Sequence, residues 1–157
     1  MTEYEYEDNA VVTEEETTEA EPMSEADVLA GLLEDNVVEQ TVRIKRGNKV
    51  RLELTLHSLT ETEINRARKN AIPRGKNGKK GELNQVLFRS WEIYLATQEG
   101  SDGKKVWDNP RLYDKYGVMQ GVDVIDHVLL AGEKAKLLDV IDEISGYGED
   151  EEEEVKN

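Results

Sequence analysis

The stretch Val122–Gly146, VDVIDHVLLAGEKAKLLDVIDEISG, places the tightest limits on what this chain can fold into. It reads as two short amphipathic helices joined at Ala131-Gly132. Val122, Ile125 and Leu129 share one helical face of the first, and Leu137, Ile141 and Ile144 share one of the second, with Val140 beside them. Gly132 suits a left-handed residue ending the first helix, and Gly146 suits the same role after the second. So apolar a pair must be covered, and the plain account of both stripes is a core. Val124 and Val128 form a further stripe, and Leu138 stands off the main face. These three are the expected contact surface for a partner helix.

Charge divides the remainder. Of the 157 residues, positions 1–39 hold fourteen Asp/Glu and no Lys/Arg, a net of −14. Positions 40–148 carry nineteen Lys/Arg against fifteen acids, a net of +4, and positions 149–157 come to −5. The ends have too little apolar content to offset the entropy of ordering them, so residues 1–22 and 149–157 are expected to be disordered. Such ends confer solubility, and they could also screen the basic middle from polyanions. The domain organisation that follows is an acidic arm over 1–39, a domain over 40–148 and an acidic tail over 149–157. Cysteine is absent, which excludes a disulfide framework and a thiolate metal site. No apolar run approaches the ~20 residues that span a bilayer, and the acidic start does not read as a signal peptide.

In chain order, Ser24–Asp35 is the first candidate element. Ser24 with Asp27 is a weak relative of the capping box, and Val28, Leu29, Leu32 and Leu33 line one face. A helix this short needs tertiary contacts, so it either docks on the domain or folds on a partner. A β-hairpin follows in VEQTVRIKRGNKVRLELTLHSL, where apolar and polar residues alternate on both sides of Gly47-Asn48. A two-residue loop would place Ile44 opposite Arg51 and mix the faces. A three-residue loop, Arg46-Gly47-Asn48, pairs Ile44 with Val50 and Val42 with Leu52, with Asn48 left-handed, and is the expected form. Its apolar face must pack on helices.

Thr60 and Glu63 form a capping box, with Leu59 positioned to staple onto Ile64. Pro73 stops that helix. RGKNGKKG (74–81) lacks the spacing and the leading strand of a phosphate loop and reads as a solvated basic loop. Glu82–Thr97 is the expected central helix, with Leu83, Leu87, Trp91 and Tyr94 along one side. Asp102-Gly103 is a turn signal, Val106-Trp107 returns to the core, and Asn109-Pro110 starts a short helix ending near Gly117.

Catalytic signals are thin. His57 and His127 stand alone, no zinc, EF-hand, nucleotide or nucleophile motif is present, and the paired Asp residues at 123/126 and 139/142 read as solvated helix faces. No catalytic, cofactor-binding or metal-binding residues are expected, and no enzyme. Residues 40–80 hold twelve Lys/Arg and three Glu. That cluster is the case for an alternative reading, a small nucleic-acid-associated or regulatory protein, but it lacks aromatics for base stacking.

The segment NPRLYDKYGVMQGVDVIDHVLLAGEKAKLLDVIDEISGYG resembles the C-terminal part of tail assembly chaperones of long-tailed phages and prophages. The resemblance rests on Pro110 and Leu112, Tyr116-Gly117-Val118, Leu129-Leu130-Ala131-Gly132-Glu133, and Ser145-Gly146-Tyr147. The hairpin followed by LTETEINRARKNA (59–71) resembles the family's N-terminal half, and the whole spans roughly 40–148. Departures are Ala131 in place of a frequent Pro, the loop at 74–81 and the long acidic N-terminus. The resemblance implies a mostly helical α+β domain in which the hairpin packs on a small bundle of about four to five helices. It also implies a non-enzymatic protein of the host bacterial cytoplasm, absent from the mature virion. Its partner would be the tape-measure protein, kept soluble until tail-tube subunits polymerise around it. A longer frameshifted form would reach the tail-tube protein, with room for self-association and no membrane or nucleic-acid partner.

Overall fold

The computed structural model describes residues 21–147, except the side chain of Lys76. The expectation of disorder at 1–22 and 149–157 lies, but for Glu21 and Pro22, outside the described residues. The chain divides into two units, Met1–Asn36 and Val37–Asn157, each considered by itself. Among the described residues there are six α-helices and one two-stranded antiparallel hairpin, a mostly-α α+β fold.

The described part of the first unit is built on α1 (Glu25–Leu33). Ser24 caps it, its Oγ accepting the Asp27 N–H at 3.1 Å, which ties down one of the N–H groups a helix start leaves without a partner. The helix stops at Glu34, whose backbone is extended, and none of its residues is buried.

The second unit begins with β1 (Glu39–Arg46) and β2 (Lys49–His57). Here the structure corrects the expected loop. The turn is two residues, Gly47-Asn48, and Gly47 rather than Asn48 takes the positive φ, at 65°. Arg46 faces Lys49 and Lys45 faces Val50, and a bulge between Ile44 and Lys45 then brings Ile44 opposite Leu52 and Val42 opposite Leu54. The extra residue sits inside the ladder, at Arg51, instead of in the loop. A bulge satisfies the same demand, one apolar face, while keeping a tight Gly-led turn. Ile44, Leu54 and Leu56 are buried on that face. Across the outer face the Thr41 and Thr55 hydroxyls meet at 3.0 Å, and Arg43 Nε donates to Glu53 Oε2 at 2.7 Å. Both charged groups of that pair are more than half exposed, so it adds at most ~1 kcal/mol.

Helix α2 (Glu61–Asn70) starts with the predicted box. Thr60 Oγ1 accepts the Glu63 N–H at 3.2 Å, and Glu63 Oε1 accepts the Thr60 N–H at 2.9 Å. Leu59 is buried beside it and donates its own N–H to Ser145 Oγ at 3.0 Å, joining the hairpin exit to the end of the last helix. The 74–81 loop is a short 3-10 turn (Lys76–Gly78) closed by an Arg74–Lys80 bridge.

Central helix α3 (Gln85–Ala96) packs against α2, against α6 (Ala131–Ile144) and against the 3-10 turn Gly121–Val124. Its buried positions are Ser90, Ile93, Leu95 and Ala96. Leu87, Trp91 and Tyr94, expected at the centre of that face, are only half-buried, and Leu83 precedes the helix. Because α3 is approached from several sides, its small residues mark the closest contacts. A stripe of large apolar residues does not find them.

Helix α4 (Pro110–Tyr116) is N-capped by Asn109, and Gly117 ends it in the left-handed conformation at φ 67°. The expected first helix of the Val122–Gly146 pair is broken in two, the 3-10 turn Gly121–Val124 and one α-turn, α5 (Ile125–Val128). Gly132 does not end it. Leu129 and Leu130 are extended and make the joint, while Gly132 lies within the first turn of α6 without positive φ. Gly146 does act as expected, at φ 99°, in a complete Schellman closure. The Tyr147 N–H reaches Asp142 O at 2.8 Å and the Gly146 N–H reaches Glu143 O at 3.2 Å.

The helical setting of Gly132 has a signed consequence. A Cβ there meets nothing within 4 Å. Gly132→Ala should therefore raise stability by about 0.5–1 kcal/mol, read as a higher urea midpoint. A left-handed Gly132 would give the opposite sign.

Candidate partner-binding surface

Val124 is fully buried, at 0% exposure, and belongs to the core cluster with Ile125, Leu129, Leu137 and Ile141. Val128 and Leu138 are half-buried and packed against that cluster. The expected surface of Val124, Val128 and Leu138 is thus corrected for Val124, which has no side chain to offer a partner. The reason is local. In a 3-10 helix residues three apart eclipse, so Val124 stands over buried Gly121. A 3.6-residue wheel rotates it outward instead.

Val128 contributes its backbone to a joint. Arg46, at the end of β1, sends Nη2 to Val128 O at 2.8 Å and to Glu133 Oε1 at 2.9 Å, while its Nε reaches Glu133 Oε2 at 3.0 Å. Glu133 Oε1 also accepts the Leu130 N–H at 2.8 Å, the half of a capping box that the third helical residue supplies. The hairpin tip is so held to the α5–α6 junction. The Arg46 guanidinium, followed by the Leu130 N–H, holds the Glu133 carboxyl down to about 2 from 4.5. A carboxyl depressed on folding stabilises the fold fully above its unfolded value and loses that contribution as pH falls through its folded one. The Glu133 share should therefore fade between pH 4.5 and about 2. Glu133→Gln should flatten that part of the stability–pH curve, measured by urea unfolding at a series of acid pH values.

Two further polar clusters are internal braces. Lys134 Nζ donates to Asp126 Oδ1 at 2.8 Å, Ser90 Oγ at 2.9 Å and Val86 O at 3.1 Å, linking α6, α5 and α3. Asp108 accepts from Tyr94 Oη at 2.8 and 3.0 Å and from Tyr113 Oη at 3.3 Å. Burial first, and then Asp108, push the Tyr94 phenol well above its usual range. Beside them an open cleft of about 520 Å³ lies between β2 and the 97–110 segment. Of the charged groups lining it, Lys105 is committed to Thr97 O at 2.6 Å. His57 is engaged with Ser58 O, and His127 stacks on Tyr116. Among the described residues no group of three His, Cys, Asp or Glu could hold a metal, and no helix is long and apolar enough to cross a membrane.

What remains open to a partner lies elsewhere. Val28, Leu29, Leu32 and Leu33 of α1 are all exposed, the last two at 76%, and Val37 and Val38 follow in the same condition at the start of the second unit. The hairpin adds Lys45, Lys49 and Arg51, exposed and in no ion pair among the described residues. The apolar stripe of α1 is readable in sequence, but its fate was not decided there.

Comparison with known proteins agrees with the fold. The model of the family described as phage XkdN-like tail assembly chaperone proteins matches residues 29–157. This chain belongs to that family, and a chaperone family implies a non-enzymatic role. A solved structure, described as the crystal structure of the protein yqbn, is similar with a TM-score of 0.52 at 18% identity. The match covers 82% of this chain and 100% of that one, a likeness of fold. No match is found among curated proteins.

Proposed function

We propose that this tail assembly chaperone binds the tape-measure protein and keeps it soluble while the tail is built, and that α1 provides the contact. The supporting observation is the apolar stripe of α1. A nine-residue helix is marginal alone, and Val28, Leu29, Leu32 and Leu33 are exposed along one side of it. An amphipathic helix of this kind meets other apolar helical surfaces through i, i+3 and i+4 anchors. The core residue Val124 takes no part, and Val128 and Leu138 remain with the domain. In this reading the protein acts in the host bacterial cytoplasm and is left behind by the finished virion. A longer frameshifted form would carry the link to the tail-tube protein.

The test is co-expression with a phage tape-measure protein. The soluble fraction of that protein should be high with the native chain and fall severalfold with Leu29→Ser/Leu32→Ser. An equal soluble fraction with and without the chaperone would overturn the function. Full activity of the double variant would overturn the assignment to α1.

A further inference from the structure

We infer that the segment received by α1 is basic as well as apolar: a helical stripe of large apolar residues flanked by Lys and Arg, with cations meeting the C-terminal end of α1. This deepens the preceding reading and rests on it for the identity of the partner, but the charge argument is separate. Residues 21–39 carry six Asp/Glu and no Lys/Arg. Glu25 and Asp27 lie in the first turn, where the positive end of the helix dipole favours them. The last turn holds no basic residue, and Glu34 and Asp35 follow it. Negative charge therefore accumulates at the end where the unpaired carbonyls are already negative. Nothing in this segment relieves that, so a partner's cations would.

The same charges argue against other occupants. An acidic helix would set carboxylates against carboxylates. A second copy of α1 laid antiparallel would bring Glu25 and Asp27 against Glu34 and Asp35, and a parallel copy would match each acid with itself. Like charges in contact oppose pairing as strongly as opposite ones favour it. A basic amphipathic segment meets both demands, covering the leucines and neutralising the ends.

The experiment uses the full-length chain and two synthetic helical peptides with one apolar stripe. One peptide is flanked by Lys/Arg and the other by Glu, and binding is followed by fluorescence anisotropy. The basic peptide should bind at least about tenfold more tightly, and raising salt from about 50 mM to about 500 mM should weaken it. Leu29→Ser/Leu32→Ser should remove binding without moving the melting temperature. Glu34→Lys/Asp35→Lys should shift preference toward the Glu-flanked peptide. Equal binding of both peptides, or binding of neither, overturns the inference. So does a drop of several degrees in melting temperature for the leucine variant, which would mean that the chain's own domain covers the stripe. A dimer that dissociates on the same substitution would assign the stripe to a second copy and overturn it likewise. If the peptides are discriminated while tape-measure solubility is unaffected, the chemistry of α1 stands and the functional reading falls. If the tape-measure protein is held but the peptides are not discriminated, only this inference falls.

Discussion

Trp107→Ala should cost the domain about 3–5 kcal/mol, visible as a large fall in the urea midpoint. The side chain is 2% exposed, and its indole N–H donates to Thr97 Oγ1 at 2.9 Å. Thr97 is itself buried and donates to Ile93 O at 2.7 Å, so the indole fills the remaining acceptor capacity of a hydroxyl that water does not reach. Alanine would leave both a cavity and that unmet acceptor. Domains of this size are typically stable by only ~5–15 kcal/mol, so the variant should be near its unfolding threshold at ordinary temperature. Trp107→Phe keeps most of the volume and should cost distinctly less. Neither variant can donate to Thr97, so the difference between them isolates the cavity, and the residual cost of the phenylalanine variant reports the lost hydrogen bond together with the small change in ring volume. An unchanged midpoint for the alanine variant would show that the 106–108 turn is not anchored in the core.

Gly121→Ala should be the second severe change, about 1–3 kcal/mol or more by overpacking. Its φ is not the issue. A Cβ built there would run into Asp108 Oδ1, lie 2.9 Å from Tyr94 Cε1 and 3.0 Å from Trp107 O. To make room the Asp108 carboxylate must leave the two tyrosine hydroxyls it accepts from. A spectroscopic readout separates this from general loosening. The Tyr94 phenol, held high by burial and by Asp108, should titrate closer to its ordinary range in whatever fraction of the variant stays folded. Gly132→Ala, where a Cβ meets open space, is the internal control.

The parts of this fold that were legible in sequence are those fixed by local chemistry. The Thr60/Glu63 box, the Asn109-Pro110 start, Gly117, Gly146 and the stripe Leu137, Ile141, Ile144 all declare themselves through short-range spacing. What was not legible depends on geometry shared between distant segments. The hairpin register needed a bulge at Arg51, which alternation alone does not distinguish from a longer loop. Val124 was misplaced because a wheel assumes one helical period, and the 3-10 turn uses another. Ser90 and Ala96, central to the packing of α3, are too small to announce a buried face. The candidate site was half legible. The four apolar residues of α1 stood out, but periodicity alone could not choose between docking and presentation.

The Arg46–Glu133 joint and the Leu59–Ser145 bond each span almost ninety positions of sequence. Hairpin residues Ile44, Leu54 and Leu56 share a core with Leu137 and Ile141. During synthesis, then, the hairpin leaves the ribosome long before the helix that covers it exists. α3 can cover part of the hairpin's apolar face earlier, but the part under α6 stays wet until that helix emerges, and contacts of so long a range close late. A nascent chain arrested before Ala131 would carry a sheet only partly covered, by α3, whereas α1 draws its hydrogen bonds from neighbours in sequence and waits only for a surface to cover its leucines. The translation order thus presents the apolar leucines first and the finished domain last.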